Sequence, residues 1–104
     1  MGRRLDLQAI LEGFVQANGG LKAYFQPPAN IQMSYPTIVY ERDNLDYRRA
    51  DNVAYGVTDR YQVTVIDRDP ESPISELVAA LPMCVFSRRF ASDNLNHDIF
   101  TLYY

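Results

Sequence analysis

Hydrophobic positions recur at helical spacing in two segments of the chain. Over residues 6–18 they form one stripe, and Asn18-Gly19-Gly20 then supplies a left-handed residue of the kind that commonly ends a helix. A second helix is predicted to begin at Pro73, with Ser72 as its N-cap, and to end at Pro82. The two stripes consist of Leu7, Ile10, Leu11 and Phe14 in the first helix and of Ile74, Leu77, Val78 and Leu81 in the second.

Alternation of apolar and polar positions predicts strands in the rest of the chain. Residues 60–66 alternate most clearly, and we expect this strand in the centre of a sheet. Further strands are predicted at 21–25, 37–41, 84–90 and 97–104, the last two joined as a hairpin at Ser92-Asp93-Asn94. Residues 44–59 contain several turn signals and are predicted to form a long irregular connection, which in a compact domain is usually functional or flexible.

The order of these elements predicts one α+β domain spanning residues 1–104. The order is α-β-β-(loop)-β-α-β-β, and a length of 104 residues suits one domain with a thin core. Each helix has one apolar stripe, which it can bury by packing against a face of the sheet. We therefore expect a mostly antiparallel sheet with two helices packed on one face.

The last predicted strand carries bulky groups on both faces. A small domain can bury only one sheet face by itself, so the second face predicts a cover from this chain or from another copy. Alternation puts Ile99, Thr101 and Tyr103 on one face and Phe100, Leu102 and Tyr104 on the other.

Composition and charge exclude several classes of protein. Hydrophobic residues make up 47% of the chain and charged residues 22%, which is typical of a globular protein. The net charge is -3 and the ten basic residues are dispersed, which argues against strong nonspecific binding to nucleic acid. With a single cysteine, Cys84, no signal-peptide pattern and no membrane-length apolar run, we expect a soluble protein in a reducing cytoplasm.

One acidic segment could be imagined as a metal site. Asp67, Asp69 and Glu71 leave a predicted strand, and converging carboxylates bind hard cations. However, Arg68 lies between them as a counter-ion, and acidic residues also suit a turn that leads into a helix N-terminus. The turn interpretation is favoured, and no metal or cofactor is predicted.

No group of side chains indicates catalysis. His97 and Asp98 are neighbours in a strand and point to opposite faces, as do Arg88 and Arg89. Cys84 follows a helix-ending proline and is predicted to be a small core residue. Because the sequence shows no pairing of a catalytic acid, base or nucleophile, we predict that the protein is not an enzyme.

Protein contacts are the better-supported use of the surface. Tyr and Arg are enriched among interface hot spots, and both occur together in the long connection. The alternative is a solvated loop whose arginines contact nothing. The predicted interface residues are Tyr47, Arg48, Arg49 and Tyr55 in the connection and Phe100, Leu102 and Tyr104 in the last strand.

Four strings of the sequence, in their order and spacing, resemble one family of phage proteins. They are YFQPP at 24–28, YPTIVY at 35–40, RYQVTVIDRDP at 60–70 and NLNHDIF at 94–100. These strings are similar to the tail terminator and tail-completion (head-to-tail joining) proteins of phages with long, noncontractile tails. The resemblance covers most of the chain, from Tyr24 to its end.

The resemblance implies a structural protein of the virion neck that assembles in the host cytoplasm. Tail terminators are α+β domains that form a hexameric ring, cap the last ring of the tail tube protein and present a surface to the head connector or stopper protein. DNA would pass through the lumen without specific binding, and no membrane is involved. The alternatives are a head-completion or stopper protein, or a non-phage dimeric α+β module that binds a ligand or regulates a partner.

Overall fold

The computed structural model describes residues 3–46 and 58–104. The α+β class and the predicted order of elements are confirmed. That order is α1 (Arg3–Ala17), β1 (Ala23–Phe25), β2 (Thr37–Asp46), β3 (Thr58–Asp67), α2 (Pro73–Ala79), β4 (Cys84–Ser92) and β5 (Leu95–Tyr103).

The strands form one mixed sheet in the order β1-β2-β3-β5-β4. β1 runs parallel to β2, and the other three pairs are antiparallel. β3, which has the cleanest alternation, occupies the centre of the sheet as predicted. Its apolar side chains lie on the face that forms the core. β1 and β4 are the two edges of the sheet.

The prediction of an irregular connection over 44–59 is wrong at both ends of that range. Asn44 pairs with Arg60 and Asp46 pairs with Thr58, so β2 and β3 extend well into that range. The register shifts between Arg42 and Asn44, which indicates a β-bulge at Asp43. A bulge accommodates an extra polar residue that reads as a turn signal in the sequence. Residues 47–57 lie outside the part of the chain that the structure describes.

The core lies between the helices and one face of the sheet. The register aligns Ile38 with Val65 and Tyr40 with Val63, so their side chains share the face that α1 and α2 cover. We call this the helix face and its reverse the open face. The core cluster consists of Leu7, Leu11, Val15, Ala23, Ile38, Tyr40, Tyr61, Val63, Val65, Ile74, Val78, Phe100 and Leu102.

Local signals in the sequence account for the helix ends. The Ser72 hydroxyl accepts a hydrogen bond from the Ile74 N–H at 3.2 Å, and Pro73 occupies the first turn of α2. At the end of α1, Gly19 adopts a φ of +92°, and the Gly20 N–H donates to the Val15 carbonyl at 2.9 Å. Gly20 thereby lies tightly between α1 and the start of β2.

Replacing Gly20 by alanine is expected to destabilise the protein. A Cβ at this position would overlap the Pro36 carbonyl oxygen and the Val15 side chain, so the end of α1 would have to move away from the sheet. Overpacking of this kind costs about 1–3 kcal/mol in the free energy of unfolding, measured by urea denaturation. The matched control is Gly13→Ala, which has open space in the middle of α1 and should stabilise by about 0.5–1 kcal/mol. Equal effects at both positions would contradict this packing.

Candidate protein-interaction surface

The β1 edge of the sheet is closed by side chains of α1. The Ala23 N–H donates to Glu12 Oε2 at 3.3 Å, and the Ala23 carbonyl accepts from Gln8 Nε2 at 3.1 Å. β1 has only three residues, so these two bonds occupy much of the edge that a further strand would need. We call Gln8 and Glu12 the edge cap.

A buried tyrosine holds the edge cap in place. Gln8 and Glu12 lie one helical turn apart, and Gln8 Nε2 also donates to Glu12 Oε2 at 3.3 Å. The hydroxyl of Tyr40 donates to Gln8 Oε1. Tyr40 is fully buried, and this burial raises the pKa of its phenol. The cap is therefore anchored to the core.

The opposite edge, β4, is open and apolar. We call β4 together with the preceding Met83 the β4 surface. Eight of the nine strand residues are exposed, and only Cys84 is half-buried. The exposed fractions of the large apolar residues are 67% for Met83, 61% for Val85, 52% for Phe86 and 42% for Phe90. The register of β4 against β5 shifts between Phe86 and Arg88, which indicates a β-bulge at Ser87. On either side of this bulge, an edge strand with exposed apolar side chains is a template for contact with another chain.

An aromatic and cationic cluster lies on the open face of β4. Phe90 stacks on His97 with ring centroids 4.5 Å apart and an interplanar angle of 10°. The guanidinium carbon of Arg88 lies 5.8 Å from the centroid of the Phe90 ring. On the helix face, Phe86 packs edge-on against Phe100 at 5.6 Å. Both faces of the strand thus offer apolar area beside its free edge.

A buried carboxylate fixes β4 against the helix layer. Asp98 is 4% exposed, and its Oδ1 lies 2.6 Å from Arg89 Nε of β4. Its Oδ2 accepts from the Ser75 hydroxyl of α2, also at 2.6 Å. The hydrogen bond to Asp98, aided by its negative charge, raises the pKa of the Arg89 guanidinium. These contacts hold the β4 surface at a defined position.

Sequence reasoning separated Asp98 from His97 but missed the role of Asp98. Their opposite orientations are confirmed, because His97 stacks on Phe90 of the open face while Asp98 binds Ser75 on the helix face. The signal was present in the pattern, since Asp98 falls on the apolar side of its strand, where a carboxylate requires a partner. Arg89 is that partner, and Arg88 lies on the opposite face as predicted.

The predicted interface residues of the last strand require a correction. Phe100 is 3% exposed and Leu102 is fully buried, because the stripes of α1 and α2 cover this face. Tyr104 is half-buried and packs against the same core. These side chains therefore support the chain's own core, and the exposed apolar groups lie on the neighbouring strand, β4. The other predicted interface residues, Tyr47, Arg48, Arg49 and Tyr55, lie outside the described residues.

The acidic segment after β3 forms the predicted turn. The Asp69 N–H donates to Asp67 Oδ1 at 3.0 Å, and the Glu71 N–H donates to Asp69 Oδ1 at 2.9 Å. Carboxylates that accept bonds from the backbone two residues onward are typical of such turns. Within residues 3–46 and 58–104, no three His, Cys, Asp or Glu side chains converge as a metal site.

A shallow groove of about 410 Å³ lies beside β1. Its walls include Tyr24, Pro27 and Ile31, and its polar side includes Gln8 and Glu12. These two polar side chains already bind each other and Ala23, so they are engaged in the edge cap. The groove thus offers a ligand few polar groups that are not already engaged.

Comparison with known proteins adds no assignment to these observations. The chain matches no model of a known protein family, and no curated protein resembles it significantly. Among the described residues, no helix combines the length and apolar character that a membrane span requires.

Removal of the edge cap is expected to expose β1 to solvent. In Glu12→Ala the Ala23 N–H loses its acceptor, so its hydrogen exchange should accelerate by up to about tenfold, the equivalent of one hydrogen bond. The measurement is amide exchange by nuclear magnetic resonance under native conditions. Glu76→Ala removes an exposed glutamate from α2 and should leave Ala23 unchanged. Unaltered exchange of Ala23 in Glu12→Ala would show that this bond does not close the edge.

Cys84 should ionise at a higher pH in the folded protein than in the unfolded chain. Burial raises the pKa of its thiol, because the thiolate is poorly solvated at this position. The rate of alkylation by iodoacetamide follows the thiolate fraction, so its pH midpoint should lie above that of the chain in urea. The free energy of unfolding should accordingly fall as pH rises past the pKa of the unfolded thiol. A folded midpoint at or below the unfolded one would contradict this.

Proposed function

We propose that this chain is a structural protein of the head–tail neck of a phage with a long, noncontractile tail. In this role a hexameric ring caps the tail tube, ends its polymerisation and offers the surface that joins the head. The observation that supports the proposal best is the difference between the two edges of the sheet. One edge is capped by Gln8 and Glu12, and the other presents the exposed β4 surface.

This difference suits a protein that contacts unlike partners on its different sides. A closed ring needs head-to-tail contacts in which two different surfaces of the same chain meet. A neck protein additionally needs one surface for the tube and another for the head connector or stopper. A domain with one open edge has two unlike sides. The bonds of Asp98 to Arg89 and Ser75 connect the open edge, β4, to β5 and α2.

The mechanism we propose is occupancy and requires no catalysis. Once the ring covers the last tube ring, the next tube subunit has no docking surface, so growth stops. The opposite face of the ring then offers a site to the filled head. DNA passes through the lumen, and a net charge of -3 suits a channel that should not hold DNA tightly.

Ring contacts are expected from the segment that carries Tyr47, Arg48, Arg49 and Tyr55. This expectation rests on the sequence alone, since Tyr and Arg are the residues most enriched among interface hot spots. The interface proposal therefore has two parts, the β4 surface and this segment, which variants can test separately.

A phage that lacks this protein is expected to make overlong tails. Packaging does not depend on the tail, and tail initiation occurs at the distal tip, so heads should fill and tails should start. Without a cap, tube subunits should continue to add past the normal length, and the tails should fail to join heads. Electron microscopy of the deletion lysate measures tail length directly.

Complementation with matched variants tests the surface in the same assay. Val85→Glu places a charge on the β4 surface and should fail to restore normal tails. Leu21→Glu is the control, because Leu21 is 63% exposed, close to the 61% of Val85, but lies next to β1. Normal-length free tails beside leaking or empty heads would contradict the terminator assignment and favour a stopper or head-completion role. A strict dimer under all conditions, with no ring in particles, would favour the non-phage dimeric module.

A further inference from the structure

The two edges restrict how copies of this chain could share one sheet. A sheet that continues from the β4 surface of one copy into β1 of the next would need the backbone groups of Ala23, which Gln8 and Glu12 already bind. Between the two outermost strands, β1 and β4, continuation between copies is therefore left with β4 against β4.

Pairing of β4 with its own copy meets a charge conflict. In an antiparallel pair with complete overlap, Arg88 lies opposite Arg88, and a shift toward Ser92 places Arg89 opposite Arg89. A shift toward Cys84 separates the arginines only by giving up pairs at the Ser92 end. β4 contains no carboxylate that could offset the repulsion, and like charges directly opposite each other destabilise a strand pair. Charge repulsion thus disfavours pairing of β4 with itself at its fullest overlap.

The same charge favours a strand of different composition. Arg89 is already bound to Asp98, whereas the guanidinium of Arg88 lies over the face of Phe90. Arg88 lies on the open face between Val85 and Phe90, opposite Ile99 of β5. A strand that added outside β4 would place one of its side chains beside Arg88 on this face. A carboxylate at that position would form a charge-assisted pair, and apolar neighbours would cover Val85 and Phe90.

We infer that the β4 surface binds an extended segment of a different protein, which adds as a sixth strand and places a carboxylate beside Arg88. The segment is apolar on both sides of that carboxylate. This inference goes beyond ring formation and does not depend on the phage assignment, because it follows from the open edge, its register and its charge.

Two synthetic peptides test the inference. Both have nine residues, the length of β4, with alternating valine and threonine and blocked ends, and they differ only in a central glutamate or lysine. Fluorescence anisotropy measures their affinity for the full chain. The glutamate peptide should bind about five- to tenfold more tightly than the lysine peptide, the range expected for a favourable against an unfavourable cross-strand charge pair.

Charge reversal at the site should reverse this preference. Arg88→Glu should bind the lysine peptide more tightly than the glutamate peptide. The control is Lys22→Glu, which makes the same change of charge at the exposed residue before the capped β1 edge and should keep the original preference. Because Cys84 begins β4, the glutamate peptide should also slow alkylation of Cys84 in the unaltered chain.

Four outcomes would overturn the inference. They are equal affinity for both peptides, no binding of either at about 1 mM, a preference that Lys22→Glu shifts as much as Arg88→Glu does, and a β4-mediated homodimer of the unaltered chain. Failure of the peptides to bind while the deletion phage still makes overlong tails would reject this docking mode alone. Binding of the peptides as expected, together with tails of normal length in the deletion phage, would reject the phage role and support the docking mode alone.

Discussion

The hydrogen bonds that Ala23 makes with Gln8 and Glu12 close one outer edge of this sheet. A five-stranded open sheet has two edges, and the unpaired backbone groups of each edge can recruit another chain. Here α1 supplies side chains that satisfy Ala23, and the buried Tyr40 hydroxyl holds Gln8 in position. The helix that covers the core therefore also caps β1, whereas β4, the outermost strand on the other side, is open to solvent along its length.

Packing and electrostatics on the other side keep that free edge ordered. Phe86 contacts the core residue Phe100, and Arg89 and Ser75 share the Asp98 carboxylate. An exposed apolar strand with no such anchors would fray or pair indiscriminately. The bond to Asp98 also engages Arg89, so that Arg88 is the arginine of β4 free to select a partner.

Periodicity predicted the helices, the central strand and the order of elements, because each depends on which residues of one short segment face the core. The prediction ended β2 too early, since Asp43 and Asn44 read as a turn while the strand absorbs an extra residue as a bulge. Bulges are set by the partner strand, which a single segment does not reveal.

The candidate interaction surface was harder to predict than the fold. Alternation showed correctly that β5 has two bulky faces, but Phe100 and Leu102 were assigned to an interface although the helices bury them. Which face the helices cover, and which strand lies at the edge, depends on strand order. The sequence also contains no local signal that Gln8 and Glu12 would reach Ala23, because that contact joins a helix to a strand from a separate segment.

Hydrogen exchange tests the central claim most directly, by comparing the free protein with the protein in the phage particles of the proposed neck role. We predict that the backbone amides of β4 become strongly protected on assembly, whereas the amide of Ala23 in the capped β1 edge changes little. Unchanged exchange across β4, with protection confined to other segments, would contradict the claim that β4 is the edge through which this protein contacts its partners.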